Sequence, residues 1–311
     1  MSKPFILFLS IIGFSLSARA NNATQEDSVL ENATINEHKI EELSSLILTE
    51  ISDAKKDSIS DELKTLLSKE LTKKQAFSFA FNSVKSLTIL TPKDSAFRIF
   101  NWSIAYLDGT HSYECALLKR KEGKNTSLTF LEPYQQTPDK ETLTQATGDE
   151  SHWLGGLYYQ IIEKKGKFQT YYTMLTWDGN NLLTNKKHIE VMWFNQKGAV
   201  KFGAPIFKSN RKTASRILFE FGGQHAMKLS YDEESDHIIF DYLVPLNPRL
   251  EGVYEYYYPD VTQDAYKWNG DAWVFHKLID GDENLKKSKK NFPTYGKEKI
   301  QEQTPVYSPP K

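Results

Sequence analysis

The residues best typed and spaced to hold a ligand lie late in the chain, between Asp264 and Phe275. Asn269-Gly270 sits there between strand-like flanks, and an Asx-Gly pair favours a two-residue hairpin loop, whose central residues need positive φ. Such a loop pairs Trp268 with Asp271, Tyr266 with Trp273 and Asp264 with Phe275, so aromatic rings and carboxylates share one face. Rings beside carboxylates suit the apolar faces and hydroxyls of a sugar, which makes Tyr266, Trp268, Asp264 and Asp271 the candidate ligand-binding residues. The same face also suits half of a core, because strands select aromatics for packing. In that reading Trp273 is buried and Trp268, near the tip, is more exposed.

Catalytic residues cannot be named from spacing. There is no G-x-S-x-G elbow, no phosphate loop, no His-Glu-x-x-His and no dinucleotide fingerprint. The seven histidines are dispersed, and His188, His225 and His237 read as ordinary strand or surface residues. Cys115 is the only cysteine, so no intramolecular disulfide can form; its inward position across from Trp102 makes it a small core residue. Two acidic clusters, Asp232 to Asp236 and Asp280 to Asn284, read as solvated turns; the second begins like a calcium loop, but Leu285 and Asn291 stand where such a loop needs Gly and Glu. No metal site and no cofactor are expected.

The elements that must position these residues fall into two regions. Ile40, Leu43, Ile47, Ile51 and Ala54, then Ile59, Leu63, Leu66 and Leu67, repeat at helical spacing over residues 37–75. The spacing predicts two amphipathic helices, broken near Lys55 to Ser58, with Ser60 starting the second and both covering the apolar face of a sheet. From Phe77 the period changes to two, and strand-like runs recur over residues 76–280, with one short helix around Pro138 to Thr147. The fold expected is mainly β, an antiparallel meander closing as a barrel, a sandwich or a small propeller, preceded by the helical pair. Asp108-Gly109 and Asp178-Gly179 mark two further tight hairpins. A two-residue loop at the first pairs Tyr106 with His111, Ile104 with Tyr113 and Trp102 with Cys115.

The ends of the chain read differently. Residues 1–20 carry Lys3, an apolar run and Ala18-Arg19-Ala20, the pattern of a cleavable export signal. A flexible lead over residues 21–36 follows, and residues 281–311 form a Lys- and Pro-rich tail with the composition of disorder. No later run is long and apolar enough to span a bilayer as a helix. The net charge of −1 gives no electrostatic case for nucleic acid. The expected compartment is periplasmic or secreted.

Several stretches carry a family resemblance: Phe97 to Trp102, Tyr172 to Asn181, Ile189 to Val191 with Phe202 to Phe207, Met227 to Asp232, Ile238 to Asp241, Tyr257 to Asp260 and Asp264 to Trp268. They resemble a group of exported Bacteroidetes proteins of unknown function. The resemblance implies compartment and fold unity, and no chemistry. The expectation is a soluble exported binding or envelope-assembly protein, with a glycan or an envelope protein as partner. The alternative is a periplasmic or secreted hydrolase, glycan-acting, drawing its acid and base from scattered carboxylates such as Asp232, Asp236, Asp241 and Asp260.

Overall fold

The computed structural model describes residues 36–278 except 74, 122–125 and 211. The expected signal, most of the lead, the tail and the second acidic cluster lie outside the described residues. Helix α1 covers residues 36–49 and α2 covers Asp53–Leu71. The break thus falls at 50–52, earlier than the apolar pattern predicts, and Ser52 stands at the start of α2 where Ser60 was expected. Two polar residues hide the stripe: Lys56 and Ser60 are buried in line with Leu63, Leu67 and Leu71. Lys56 donates to the Ala105 carbonyl, and Ser60 accepts the Trp102 indole N–H at 2.8 Å.

Residues Phe77 to Phe81 form a turn that runs into irregular backbone and not the expected strand. Their carbonyls are gathered by one side chain, since Arg98 Nη1 donates to Phe77 and Phe79. Phe81 has a φ of 51° and packs edge-on against Phe79 and Phe100. The period of two reflects this wrapped loop and no sheet ladder.

The first sheet holds β1 (Thr88–Leu90), β2 (Phe97–Ala105), β3 (His111–Arg120) and β4 (Thr126–Leu131) in that order, all antiparallel. Its hairpin differs from expectation by one residue: Ala105 faces His111, Trp102 faces Glu114, and Cys115 faces Asn101. The cause is a three-residue loop. Gly109 N donates to the Tyr106 carbonyl, so Leu107 and Asp108 take the turn and Gly109 follows at a φ of 82°. A one-residue slip exchanges faces. Phe100, Trp102, Ile104, Ala116 and Leu118 therefore meet the helices, while Phe97, Ile99, Tyr113 and Cys115 turn the other way. Cys115 is buried as expected, but it shares its face with other partners than Trp102.

The second sheet runs β5 (Gly148–Asp149), β9 (Val200–Phe202), β8 (Thr184–Phe194), β7 (Thr170–Asp178) and β6 (Leu157–Lys165). Strand β12 (Arg216–Gly222) also pairs with β8, on the edge that β9 uses farther along. The third sheet runs β11 (Lys212–Ala214), β10 (Phe207–Ser209), β16 (Trp273–Leu278), β15 (Tyr257–Trp268), β14 (His237–Pro245) and β13 (Leu229–Asp232), antiparallel except between β10 and β16. Among the described residues the fold is mainly β, with three sheets, one of them a half-barrel, behind two helices near the start.

Packing stacks these parts in layers. The helices cover sheet one; sheet one's other face meets Tyr158, Tyr172, Met174, Met192 and Phe202 of sheet two. Sheet two's opposite face, with Leu175, Ile189, Val191 and Phe221, meets Leu229, Ile238, Phe240, Tyr266 and Trp273 of sheet three. Sheet two is the central layer, buried on both faces. That explains near-continuous burial along β7 and β8 where a half-exposed strand would alternate.

Candidate functional site

Along β8 the residues that point toward sheet one change from apolar to polar. Met192 is core, then come Glu190, His188 and Lys186. Strand pairing sets each beside partners on the same face: Glu190 between Met174 and Arg216, His188 between Thr176 and Leu218, Lys186 between Asp178 and Glu220. Opposite residues in neighbouring strands share a face. Three polar rows are thus laid side by side on one sheet.

The innermost row is structural. Arg216 Nε donates to Glu190 Oε1 at 2.5 Å, with both side chains fully buried. The Tyr158 hydroxyl donates to Glu190 Oε2 at 3.3 Å and itself accepts the Trp153 indole N–H at 2.7 Å. Arg216 Nη1 also donates to the carbonyls of Leu143 and Ala146, while Ser215 N and Oγ donate to those of Thr144 and Gln145. These are the last carbonyls of α3 (Lys140–Gln145) and the residue after it, groups that a helix end leaves without internal partners. The short helix expected around Pro138 to Thr147 is therefore present, and β12 clamps its end.

The two outer rows are not closed over. Between them, α3 and the start of β3 lies a cleft of about 560 Å³ lined by Tyr113, Asp178, Lys186, His188, Leu218 and Glu220, with Pro133, Lys140 and Leu143 on the α3 side. Tyr113 donates to Asp178 Oδ1 at 2.9 Å and accepts the Gly179 N–H at 2.8 Å, tying sheet one to the β7–β8 turn. Lys186 Nζ turns away from both flanking carboxylates and donates to Asn180 Oδ1 at 2.8 Å. Asn180 Nδ2 donates to Thr184 Oγ1, which donates to Glu220 Oε1. Among the described residues, Lys186 makes no ion pair, and Asp178 Oδ2 and Glu220 Oε2 accept no hydrogen bond.

His188 forms the deep end. It is buried, its Nε2 has no partner, and neither has the neighbouring Thr176 hydroxyl. Desolvation, helped by the charges of Arg216 and Lys186, pushes its pKa down to about 3. The ring is therefore neutral at physiological pH. Gly156 crosses it closely: with a φ of 110°, a Cβ there would stand 2.4 Å from Thr176 Cγ2 and 3.1 Å from His188 Cε1. Burial and the Asp178 carboxylate push the Tyr113 hydroxyl well above its ordinary range, so it stays protonated and donating.

Compared with known proteins, the chain matches no family model, no curated protein and no solved structure.

The residues that the sequence put forward lie elsewhere. The last hairpin closes through a four-residue loop, Asn269 to Ala272, so Trp268 faces Trp273, Tyr266 faces Phe275 and Asp264 faces Lys277. This two-residue shift keeps the ring face intact but turns it into core. Tyr266 is buried against Phe207, Phe240 and Phe275; Trp273 is fully buried and donates to Thr173 of sheet two at 2.9 Å. Trp268 is half-buried against Tyr171 and Trp273, Asp264 is buried, and Asp271 is exposed in the loop. Of the four, Tyr266 and Asp264 are covered, while Trp268 and Asp271 remain at least partly at the surface.

The scattered carboxylates do not converge on the cleft either. Asp236 binds Lys164 and the Tyr231 hydroxyl, Asp241 accepts from Lys228 N and Gln263, and Asp232 closes the β13–β14 turn. His188, His225 and His237 stay apart: His225 lies by Tyr258 and His237 by His276. Among the described residues no three His, Cys, Asp or Glu are placed to hold a metal ion. A second cavity, of about 580 Å³, opens at the rim formed by Leu182, Leu183, Leu246 and Tyr256, with Gln224, His225, Glu255 and Tyr258 beside them.

Proposed function

We propose that this chain is a binding protein of the cell exterior, and that the cleft between sheets one and two takes its ligand. The observation that carries the reading is the Asp178, Lys186, Glu220 row. Adjacent opposite charges on one sheet face ordinarily pair. Here the ammonium is drawn aside by Asn180, and both carboxylates keep an oxygen for another donor. The walls are already fixed by the Arg216 clamp on α3 and by the Tyr113 bond to Asp178, so little ordering is left for the ligand to impose. Export rests on the pattern of residues 1–20.

Ligand-observed NMR on the purified protein, with a library of small polar compounds, tests this reading. Leu218→Trp, which fills the cleft from β12, serves as the control. Binding signals that vanish in Leu218→Trp while its melting temperature holds support the cleft. Signals that survive the filling, or a library without a binder, contradict it. Turnover of a library compound by the wild type would move the reading to a hydrolase.

A further inference from the structure

The ligand class can be read from the same row, and the inference rests on the cleft being the binding site. We infer that the cleft takes a neutral, hydroxyl-rich carbohydrate end, with Asp178 and Glu220 accepting from its hydroxyls and Lys186 donating to one between them. The row alternates acceptor, donor and acceptor across three neighbouring strands, set by the pairs Asp178 with Lys186 and Lys186 with Glu220. Strands stand about 4.8 Å apart, so the three groups spread over a length suited to one sugar ring and not to a single charged atom.

Charge decides among the polar classes. An anionic ligand that reaches Lys186 meets Asp178 and Glu220 on either side, and a cationic ligand meets Lys186 between its two acceptors. A hydroxyl both donates and accepts, so a polyol satisfies all three groups without placing a like charge beside any of them. Hydrogen bonds to charged partners are also the stronger kind, which favours carboxylates and an ammonium over neutral side chains for holding a neutral ligand.

The remaining surfaces agree with a sugar. Leu218 projects on the same face beside His188, and Pro133, Leu143 and Leu154 line the cleft, offering apolar contact to the C–H face of a ring. At depth, His188 is 4% exposed with Nε2 unpartnered, and its ring is uncharged and so neither repels nor attracts an ion. Lys140 also lines the cleft, but it stands on α3 and not on the three strands of the row, its Nζ 3.2 Å from the Tyr254 hydroxyl and 4.3 Å from that ring's centroid.

Isothermal titration with three probe sets tests the class: neutral mono- and disaccharides, uronic acids, and amino acids with dipeptides. Each is titrated into wild type, Asp178→Asn, Glu220→Gln and Lys186→Met. Neutral sugars should bind the wild type and weaken at least about tenfold in each variant, the loss of roughly one charged hydrogen bond. Uronic acids that bind better than neutral sugars and gain from Asp178→Asn, or binding confined to amino acids, would overturn the sugar while leaving the cleft as the site. Neutral-sugar binding unchanged in all three variants would place the sugar elsewhere and overturn the inference. No binding in any set would sink the sugar and the cleft together.

Discussion

Arg216 and Glu190 face each other directly across β12 and β8, and their fully buried ion pair is also the clamp that holds α3 over the cleft. One residue pair thus joins the stability of the central sheet to the shape of the proposed site. Burial of such a pair adds little net stability, but removing one partner strands the other charge.

Glu190→Ala should therefore cost about 3–5 kcal/mol. In a domain of this size that corresponds to a fall of roughly 10 °C in melting temperature. Thermal unfolding followed by circular dichroism measures it. A fall of less than about 2 °C would show that Arg216 is solvated or paired otherwise, because an uncompensated buried charge cannot cost so little.

His188 gives the fold an acid sensitivity of definite sign. Its folded pKa of about 3 lies below the ordinary 6.5, so the unfolded chain takes up a proton between those values that the folded chain refuses. The stability it contributes is present above pH 6.5 and lost as pH falls toward 3. His188→Met removes that proton and an unpartnered buried nitrogen, and should be tolerated at pH 7. Urea midpoints at pH 7 and pH 4.5 should fall less in the variant, by up to about 1.4 kcal/mol per pH unit. Equal slopes in the two proteins would show that His188 is protonated or solvated in the fold.

Trp273 and Trp268 face each other across the last hairpin yet differ in burial. Trp273→Ala should lose about 3–5 kcal/mol through lost burial and a cavity, while Trp268→Ala should lose less. Acrylamide should quench the Trp268 emission more than that of Trp273, measured on variants that each lack one of the two. The reverse order would mean that the hairpin presents its other face to sheet two.

How much of this was legible in the sequence depends on which physical signal each part leaves. Strands such as Phe97 to Tyr106 and Ile238 to Val244 announce themselves, because buried aromatic and β-branched side chains are their packing. The helical pair is legible for the same reason, and its break was misplaced only because Lys56 and Ser60 occupy core positions. Registers are less legible: Asp108-Gly109 and Asn269-Gly270 do mark hairpins, but loop length decides the pairing. A loop of three residues moved Cys115 from Trp102 to Asn101. The cleft left the least trace. Asp178 is visible only as a turn residue, and Lys186 and Glu220 look like solvated strand positions; they lie 34 residues apart in sequence and meet through the β8–β12 pairing alone. Aromatic richness drew attention to the last hairpin, where the rings serve the core.

The central claim is that a ligand lies across Asp178, Lys186 and Glu220. A crystal structure of the protein soaked with the neutral sugar that binds best measures this directly. Electron density for one ring is expected in the cleft, with hydroxyls within hydrogen-bond distance of both carboxylates and of Lys186 Nζ and with α3 still clamped by Arg216. Density along the Leu182 and Leu246 rim, or against Trp268 on the last hairpin, with the cleft holding only solvent, would contradict it.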